Sequence, residues 1–421
     1  MEFNFIYIET YGCTANKNNA EILAGLCKEA GLDIISKPEL ADIIIVNACI
    51  VKTPTEEKIR HRIKQLKKLN KPIIISGCFS SLLDLDVIFL ANIKDILKLL
   101  KQIEYDSLNE KQLEEFVKKK KEIKLLLPKF TSDKQGITQI SEGCLGNCNF
   151  CITRFAKGSL FSYPEERIIE NVRNDLSKGC KEIWITSQDN AAYGLDEGKQ
   201  NLPELLEKIT QLKYFFKLRI GMMNPNNVLT ILPELIEEYK NKKIYKFLHL
   251  PVQSGSNKIL KAMNRFYTKE DFIKIVDAFR KEIPEINIST DIITGYPGET
   301  EEEWKETIEL IKETRPDILN ITKFWPRKLT PLAKKKQEKT ASKRAKQLMS
   351  LHLSINEEKN KKFIGKIENV LVYDKGWEGT FLARDKDYRQ IIVKSEKNIL
   401  NRFIKVKITE AKPHYLIGRI I

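Results

Sequence analysis

The sequence lacks any apolar run that approaches the roughly 20 residues of a transmembrane helix. Its first residues, Met1–Ile6, lack the basic stretch of a signal peptide and have the pattern of a strand. Cysteine is scarce, with 8 in 421 residues, which excludes a disulfide scaffold. The composition, 42% hydrophobic and 31% charged, is typical of a globular protein. We therefore expect a cytoplasmic protein that does not bind membranes.

Acidic residues are under-represented at one end of the chain. Residues 333–421 carry 22 Lys and Arg against 10 Asp and Glu, which is +12 of the net charge of +15. A basic end on a nearly neutral body predicts a segment that binds a polyanion. A general lysine bias is the alternative, but such a bias would raise the charge of the first half equally.

The first hundred residues alternate short apolar runs with amphipathic helices. This alternation predicts a parallel sheet covered by helices, a Rossmann-like domain over residues 1–105. A highly charged linker is predicted over residues 106–133. The three strands that the pattern predicts are Asn4–Glu9, Ile43–Val46 and Ile73–Ser76.

The alternation resumes in residues 134–332, where six strand–helix units predict a partial (β/α)6 barrel. A basic helical connector follows over residues 333–361. Short runs separated by glycines then predict a small all-β barrel over residues 362–421, so the fold class is α/β with an all-β appendage. The predicted strands of the two barrels are 137–140, 182–186, 218–222, 247–252, 288–293 and 318–324, then 370–372, 390–394, 404–408 and 415–420.

The most specific motif is the C-x3-C-x2-C run of Cys144, Cys148 and Cys151, here named the loop cysteines. It follows the first strand of the predicted (β/α) barrel, at the rim where such barrels build their sites. Three thiolates can hold three irons of a [4Fe–4S] cluster and leave the fourth iron open to a ligand. Structural zinc is the alternative, but it needs four ligands, and the next cysteine is the distant Cys180.

Cys13, Cys49 and Cys78, here named the N-terminal cysteines, each stand just after a predicted strand. The carboxyl ends of parallel strands lie along one edge of a sheet, with neighbouring strands about 4.8 Å apart. The three sulfurs can therefore reach one metal cluster. Three ordinary buried cysteines are the alternative, which is how we interpret Cys27 and Cys180.

The loop cysteines, with Phe150 before the last of them, resemble the signature of radical S-adenosylmethionine enzymes. Together with the N-terminal cysteines and the basic β segment, they make nearly the whole chain similar to the methylthiotransferase family, whose C-terminal part is an RNA-binding TRAM domain. The strings that carry this resemblance include Tyr11-Gly12-Cys13, Gly77-Cys78, Leu250-Pro251-Val252-Gln253-Ser254-Gly255-Ser256 and Asp291-Ile292-Ile293-Thr294-Gly295-Tyr296-Pro297-Gly298-Glu299-Thr300.

Other strings resemble the archaeal and eukaryotic branch, which acts on N6-threonylcarbamoyladenosine at tRNA position 37. They are Tyr11–Asn16, Thr53-Pro54-Thr55-Glu56, Thr186-Ser187-Gln188-Asp189 and Met223-Asn224-Pro225. The resemblance implies two [4Fe–4S] clusters and S-adenosylmethionine as cofactors, and tRNA and a ferredoxin or flavodoxin electron donor as partners. It also implies that the loop cysteines support radical formation and the N-terminal cysteines hold the sulfur. No side chain beyond the cluster ligands is predicted to be catalytic.

Eight residues are candidates for binding S-adenosylmethionine. In the superfamily that the chain resembles, the aromatic before the last cysteine lies beside the adenine. The loops after the barrel strands supply the remaining candidates, although ordinary loop, turn or solvated roles remain open for each of them. The eight are Phe150, Ser187, Gln188, Asp189, Gln253, Ser254, Arg265 and Gly295. His249, between apolar neighbours on a strand, is interpreted as a core histidine.

The predicted function is insertion of a methylthio group at C2 of N6-threonylcarbamoyladenosine 37 in tRNA. The alternatives are methylthiolation of a ribosomal-protein aspartate, methylthiolation of isopentenyladenosine in tRNA, and a noncatalytic RNA-binding metalloprotein. The basic C-terminal segment argues against the protein substrate. The two three-cysteine sets argue against a purely structural metal site, because structural sites close their coordination.

Overall fold

The computed structural model describes residues 3–78, 87–105, 110–118, 120–130 and 135–421. Its first part is a sheet of five parallel strands in the order β2-β1-β3-β4-β5, here named the N-terminal sheet. The three predicted strands are confirmed, while β2 and β5 were not predicted because only three and two of their residues pair. The strands are β1 Phe5–Thr10, β2 Asp33–Ile35, β3 Ile43–Ala48, β4 Ile73–Gly77 and β5 Ile88–Phe89.

Helices cover both faces of this sheet, which explains why β3 is buried at all six positions. Cys27 of α1 lies in one of its two cores, as the sequence predicts. Residues 106–109, 119 and 131–133 of the predicted linker lie outside the described residues, and α4 occupies part of the remainder. The helices are α1 Thr14–Glu29, α2 Thr53–Lys67, α3 Ile96–Glu104 and α4 Glu110–Val117.

The second part is an open barrel, here named the central barrel, with six parallel strands in two sheets of three. The orders are β10-β9-β6 and β11-β12-β13, and an isolated bridge pairs Leu218 of β10 with Ile244, three residues before β11. All six predicted strands are confirmed, and β7 and β8 form an additional short hairpin. The strands are β6 Gln135–Gln139, β7 Ser141–Glu142, β8 Phe161–Ser162, β9 Glu182–Thr186, β10 Lys217–Ile220, β11 Phe247–His249, β12 Asn287–Thr294 and β13 Ile318–Lys323.

Amphipathic helices pack outside the central barrel and bury their apolar faces in one large core, which includes Cys180. Two of them, α11 and α12, begin with capping boxes in which a threonine and an acidic side chain satisfy backbone N–H groups. The helices are α5 Thr153–Lys157, α6 Glu165–Ser177, α7 Leu202–Thr210, α8 Pro225–Leu229, α9 Leu232–Lys240, α10 Asn257–Ala262, α11 Lys269–Glu282 and α12 Glu301–Thr314.

The last part is a connecting helix, α13 Ala341–Lys361, followed by a closed barrel of five strands, here named the C-terminal barrel. The predicted strands are confirmed, and β15 is an additional one. Among the described residues, no helix is both long enough and apolar enough to cross a membrane. The strands are β14 Ile367–Lys375, β15 Thr380–Arg384, β16 Gln390–Lys394, β17 Phe403–Ala411 and β18 Leu416–Ile420.

The C-terminal barrel docks on the end of the central barrel where the parallel strands begin. Arg384 of β15 makes two hydrogen bonds of 2.9 and 3.0 Å to the carboxylate of Glu182, the first residue of β9. The Asn287 amide, at the first residue of β12, donates to the carbonyl of Asp387 at 2.7 Å. The Tyr388 ring lies 4.5 Å from that of Phe247, centroid to centroid. The strand ends that build sites in such barrels therefore face away from this interface.

Candidate metal and cofactor centre

The loop cysteines lie on a loop whose base is closed by the β7–β8 hairpin. Glu142 pairs with Phe161 across this hairpin, and the Cys144 N–H donates to the carbonyl of Gly158 at 3.1 Å. Gly143 has a φ of +85°, and a Cβ placed on it would lie 2.0 Å from the Ser159 carbonyl oxygen. Only glycine fits this position, so the hairpin fixes where the first cysteine leaves the barrel.

Two further contacts fix the loop to the barrel rim. The Asn149 backbone N–H donates to the carbonyl of Met263 at 3.0 Å, and its side-chain amide donates to the carbonyl of Ala262 at 2.8 Å. From the opposite side, Gln188 accepts a hydrogen bond from the Gly143 N–H at 2.7 Å. Gln188, a predicted cofactor residue, therefore positions the cysteine loop.

The sulfurs of the loop cysteines lie among hydrogen-bond donors. The Gly146 N–H lies 3.2 Å from Cys144 Sγ, and Arg265 Nη1 lies 3.1 Å from Cys148 Sγ. A Cβ placed on Gly146 would lie 3.2 Å from Cys144 Sγ and 3.9 Å from Cys148 Sγ, so its missing side chain keeps the space between two sulfurs open. Burial raises the pKa of Cys144 to about 11. Two sulfurs that each accept an N–H around an open space, with Cys151 three residues further along the same loop, fit an iron–sulfur cluster.

The N-terminal cysteines converge as the strand-end argument predicts. Strands β1, β3 and β4 are neighbours in the sheet, and Cys49 and Cys78 directly follow β3 and β4. Gly12 has a φ of +114°, and a Cβ placed on it would lie 2.7 Å from the Cβ of Cys49. A glycine is therefore required before Cys13 if its loop is to approach Cys49 so closely.

Asn16, in the first turn of α1, ties the three strand ends together. Its side-chain amide donates to the carbonyls of Tyr11 at 2.7 Å and Ala48 at 2.9 Å. The side-chain oxygen of Asn16, Oδ1, lies 3.7 Å from Cys78 Sγ. Because Asn16 is fully buried, these bonds hold the loops of all three cysteines in one arrangement.

The N-terminal cysteines also influence one another's acidity. Burial raises the pKa of Cys49 to about 11, and the neighbouring sulfurs of Cys78 and Cys13 add to this rise. Burial likewise raises the pKa of Cys78, with a further contribution from Cys13. These effects on Cys49 and Cys78 agree with the convergence of the three loops on one site, where metal binding would convert the thiols to thiolates.

A buried charge network lies between the two cysteine sets. Glu142, two residues before Cys144, accepts from Lys157 at 2.8 Å and from Lys124 at 3.1 Å. Lys157 belongs to α5, which begins two residues after Cys151 and packs against the core that contains Cys78. The Lys157 ammonium opposes the effect of burial on the pKa of Cys78. The segments on both sides of the loop cysteines thus reach the N-terminal cysteines.

A cavity of about 370 Å³, here named the shared cavity, opens beside Cys151 and beside the segment that follows Cys49. Cys151 lines it, together with Val51 and Lys52, which follow Cys49 closely in sequence. The ends of β12 and β13 supply much of the remaining wall. Two predicted cofactor residues, Phe150 and Gln253, also line this cavity.

The other predicted residues occupy different places. Asp189 is buried and accepts from the Asn224 N–H at 3.0 Å and the Asn227 amide at 2.7 Å. Ser187 accepts from the Asp189 N–H at 3.1 Å. Both therefore support the loop after β9. Burial raises the pKa of Asp189 to about 6.

Arg265 contacts a cysteine sulfur, so the alternative of a solvated arginine is wrong. Ser254 Oγ lies 3.5 Å from the Thr307 hydroxyl on α12 and is fully buried, away from the cavity wall. Gly295 packs against the start of α13, where a Cβ placed on it would lie 2.5 Å from the Cβ of Ala341. The structure therefore does not bring Ser254 and Gly295 together with the other candidates.

The interpretation of His249 as a core residue is wrong. It ends β11, lines the cavity, and its Nε2 lies 3.2 Å from Asp291 Oδ1. Asn320 donates to the same Asp291 oxygen at 2.7 Å. His249 and Asp291 lie at or near the carboxyl ends of β11 and β12. The sequence conceals this for His249, because the predicted strand continues to residue 252.

Among the described residues, no three His, Cys, Asp or Glu side chains gather closely enough to hold a single metal ion. A cluster of four irons is wider than one ion, so a wider spacing of sulfurs fits a cluster.

Comparisons with known proteins agree with these features. Residues 138–311 match the Radical SAM superfamily, residues 361–421 match the TRAM domain, and residues 5–98 match a family described as "Uncharacterized protein family UPF0004". Among solved structures, the radical S-adenosylmethionine methyltransferase TsrM from Kitasatospora setae, with cobalamin and a [4Fe–4S] cluster bound, has a TM-score of 0.57 at 12% identity. The match covers 79% of this chain and 77% of that one, and it shows a shared fold.

Two relatives match over nearly the whole chain. A protein from Pyrococcus horikoshii, described as a probable threonylcarbamoyladenosine tRNA methylthiotransferase, is 42% identical over 99% of both chains. A threonylcarbamoyladenosine tRNA methylthiotransferase from Xenopus laevis is 35% identical over 98% of this chain and 76% of that one.

Proposed function

Because this chain belongs to the family of threonylcarbamoyladenosine tRNA methylthiotransferases, we propose that its two cysteine sets serve one reaction on one nucleoside. The chain is a radical S-adenosylmethionine enzyme that acts on tRNA and uses S-adenosylmethionine and a [4Fe–4S] cluster. The finer proposal is that it places a methylthio group on C2 of N6-threonylcarbamoyladenosine 37. A second [4Fe–4S] cluster belongs to this proposal.

One observation carries the proposal: the cavity that Cys151 lines is also lined by the segment that follows Cys49. Cys151 lines the wall, and residues 51 and 52 bring the segment after Cys49 to the same space. We assign one cluster to the loop cysteines and the other to the N-terminal cysteines. Three ligands in each set leave one iron of each cluster open, which suits substrate binding better than a structural role.

The chemistry requires both sets because the C2–H bond of adenine is unactivated. When bound, the clusters and S-adenosylmethionine supply a carbon radical that removes this hydrogen, and the sulfur that replaces it. The chain's own residues hold and orient these groups. The β7–β8 hairpin and Gln188 fix the loop cysteines, Asn16 fixes the N-terminal cysteines, and Phe150 offers an aromatic face to adenine.

We assign tRNA binding to the C-terminal barrel. Outward positions of β17 and β18 carry the exposed side chains of Lys405, Lys407 and Arg419, and Lys407 pairs in register with Arg419. Trp377, in the turn between β14 and β15, is 90% exposed. Phosphates favour such cations, and bases stack on exposed aromatic rings. The proposed division of the chain remains 1–105 for the second cluster, 134–332 for radical chemistry and 362–421 for RNA.

The proposal includes a one-electron donor of the ferredoxin or flavodoxin class. Membership of this family argues against the three alternative functions, which are methylthiolation of a ribosomal-protein aspartate, methylthiolation of isopentenyladenosine in tRNA, and noncatalytic RNA binding. Cytoplasmic placement stays a proposal, consistent with the tRNA substrate.

Two triple-alanine variants test the proposal under anaerobic conditions with tRNA that carries threonylcarbamoyladenosine. The variant of the N-terminal cysteines should still cleave S-adenosylmethionine reductively but form no methylthio product, because the sulfur has no site. The variant of the loop cysteines should lose cleavage. Nucleoside mass spectrometry and 5′-deoxyadenosine measurement give both readouts. Methylthio product from the first variant would contradict the assignment of the N-terminal cysteines.

A further inference from the structure

The wall of the shared cavity carries more positive than negative charge. Its charged side chains are Lys52, Lys323, Arg327 and Asp291, and the His249 ring contacts Asp291. Asp291 is also bonded to Asn320, so its carboxylate is already engaged within the wall. Arg327 is paired with Glu56, so the positive charge that remains for a ligand is that of Lys52 and Lys323, and it indicates an anionic ligand.

One donor of Arg327 has no partner among the described residues. Its side chain is 6% exposed, with Nη1 3.0 Å from the Thr53 hydroxyl and Nη2 2.5 Å from a Glu56 oxygen. Its Nε is buried and has no hydrogen-bond partner among the described residues. A buried donor left unsatisfied is costly, which points to a ligand that supplies an acceptor.

The two lysines are available to the same ligand. Lys323, at the end of β13, has only a long contact of 3.4 Å to the Ser342 hydroxyl and lies 5.3 Å from the centroid of the Trp325 ring. Lys52 is exposed and close enough to Asp291 to act on it electrostatically. Within the described parts of the chain, neither ammonium has an ion-pair partner. Both can therefore turn toward an acid in the cavity.

Two of the three cations, Lys52 and Arg327, lie beside the N-terminal domain, and Lys323 faces the same cavity from the end of β13. Lys52 follows Cys49 by three residues, Arg327 is anchored on the first turn of α2, and its charge acts on Cys49. A nucleoside that receives sulfur held by the N-terminal cysteines must lie on this side. Its threonylcarbamoyl group ends in a free carboxylate, which is an acid of the required kind.

We infer that Lys52, Lys323 and Arg327 bind the carboxylate of the threonylcarbamoyl group and so select this nucleoside over adenosines with neutral N6 substituents. This inference rests on the proposed function. S-adenosylmethionine also carries a carboxylate, so the experiment must distinguish the two acids.

The test uses a Lys52→Met, Lys323→Met double variant of the full-length protein and two synthetic anticodon stem-loop RNAs. One RNA carries threonylcarbamoyladenosine. The other carries its methyl amide, in which a neutral amide replaces the carboxylate. For the parent protein, kcat/KM should fall roughly tenfold to a hundredfold on the amide, since a hydrogen bond to a charged group contributes that much. The double variant should lose a similar factor on the acid and treat both RNAs alike. Lys328→Met, which removes an exposed charge beside Arg327, should keep the parent's preference.

Three results would contradict the inference. A double variant that still prefers the acid over the amide would show that other groups bind the carboxylate. A raised KM for S-adenosylmethionine, with the RNA preference intact, would assign the cations to the cofactor. Loss of RNA preference in Lys328→Met as well would indicate a general charge effect. A parent protein that cleaves S-adenosylmethionine but forms no methylthio product from the acid RNA would instead refute the proposed function.

Discussion

Replacing Arg265 should shift the reduction potential of the cluster that we assign to the loop cysteines. Its Nη1 lies 3.1 Å from Cys148 Sγ, Nη2 lies 2.9 Å from Asn224 Oδ1, and Nε lies 2.9 Å from the Tyr267 hydroxyl. The guanidinium is therefore fixed with one N–H directed at a sulfur ligand. Reduction adds negative charge to the cluster, and a cationic donor stabilises the reduced state more than the oxidised state.

A hydrogen bond to a charged group contributes roughly 1.5–3 kcal/mol. At 59 mV per tenfold change for one electron, this energy corresponds to a ceiling of about 65–130 mV. Because the bond exists in both oxidation states, only part of it appears as a difference. We expect Arg265→Met to lower the reduction potential by several tens of mV. Arg265→Lys should recover part of this loss, because lysine keeps the positive charge but lacks the planar guanidinium with its two parallel N–H donors.

The measurement is a potentiometric titration followed by electron paramagnetic resonance. It is made with the N-terminal cysteines replaced by alanine, so that a single cluster contributes the signal. Arg154→Met is the matched control, because Arg154 lies on α5 near Cys151 and its guanidinium lies over the Phe155 ring at 5.1 Å. If the Arg265→Met and Arg154→Met proteins titrate at the same potential, the sulfur contact has no electronic role and Arg265 only braces the loop.

Four further outcomes are expected. The anaerobically purified protein should contain about eight irons, and alanine at the loop cysteines should leave about four; stoichiometric zinc would contradict both cluster assignments. Trp377→Ala should weaken tRNA binding without reducing its salt dependence, whereas Lys405→Gln should reduce the slope of log affinity against log salt by about one; equal affinities in filter binding would exclude that surface. Arg384→Met should destabilise the protein by about 3–5 kcal/mol in denaturant unfolding, because Glu182 is then buried without its cation, and adding Glu182→Gln should recover much of the loss. Burial raises the pKa of Asp189 from 3.8 to about 6, so the folded state binds the carboxyl proton more tightly than the unfolded state does. The protonated group therefore stabilises the fold below pH 4, and this stabilisation is lost as the pH rises through 6. Between pH 4 and pH 7, the free energy of unfolding of the parent protein should therefore fall by roughly 2–3 kcal/mol relative to that of the Asp189→Asn variant. A difference in Tm between the two proteins that stays constant with pH would contradict this.

The strand ends could be predicted because parallel sheets have a strong sequence pattern. Buried strands such as β3 form continuous apolar runs, and the residue that follows each run must lie at the carboxyl edge. That rule placed Cys49 and Cys78 without knowledge of any contact. The missed strands have weaker signals. β2 and β5 are very short, and β15 lies close to Gly376 and Gly379 in a segment that resembles a loop.

Side-chain directions in the loops could not be predicted. Gln253 has a φ of +73°, and the turn that it makes directs the next residue, Ser254, toward α12 instead of the cavity. Arg265 meets Cys148 across 117 residues of sequence, a contact that no local pattern encodes. His249 has apolar neighbours on both sides, and only the closure of the barrel shows that the last residue of β11 opens to the cavity.

The placement of the C-terminal barrel sets a distance for the substrate. Strand β12 begins beside that barrel, where Asn287 contacts Asp387. Residues near its other end, Ile292 and Ile293, line the cavity. Its eight residues span about 26 Å at roughly 3.3 Å each. Under the proposed assignment of RNA binding to the C-terminal barrel, the RNA has to bridge at least about this length before a base can enter the cavity. Under the same assignment, the length of the central barrel sets how far from the RNA bound by the C-terminal barrel the modified base must lie, and the C-terminal barrel itself does not select the base.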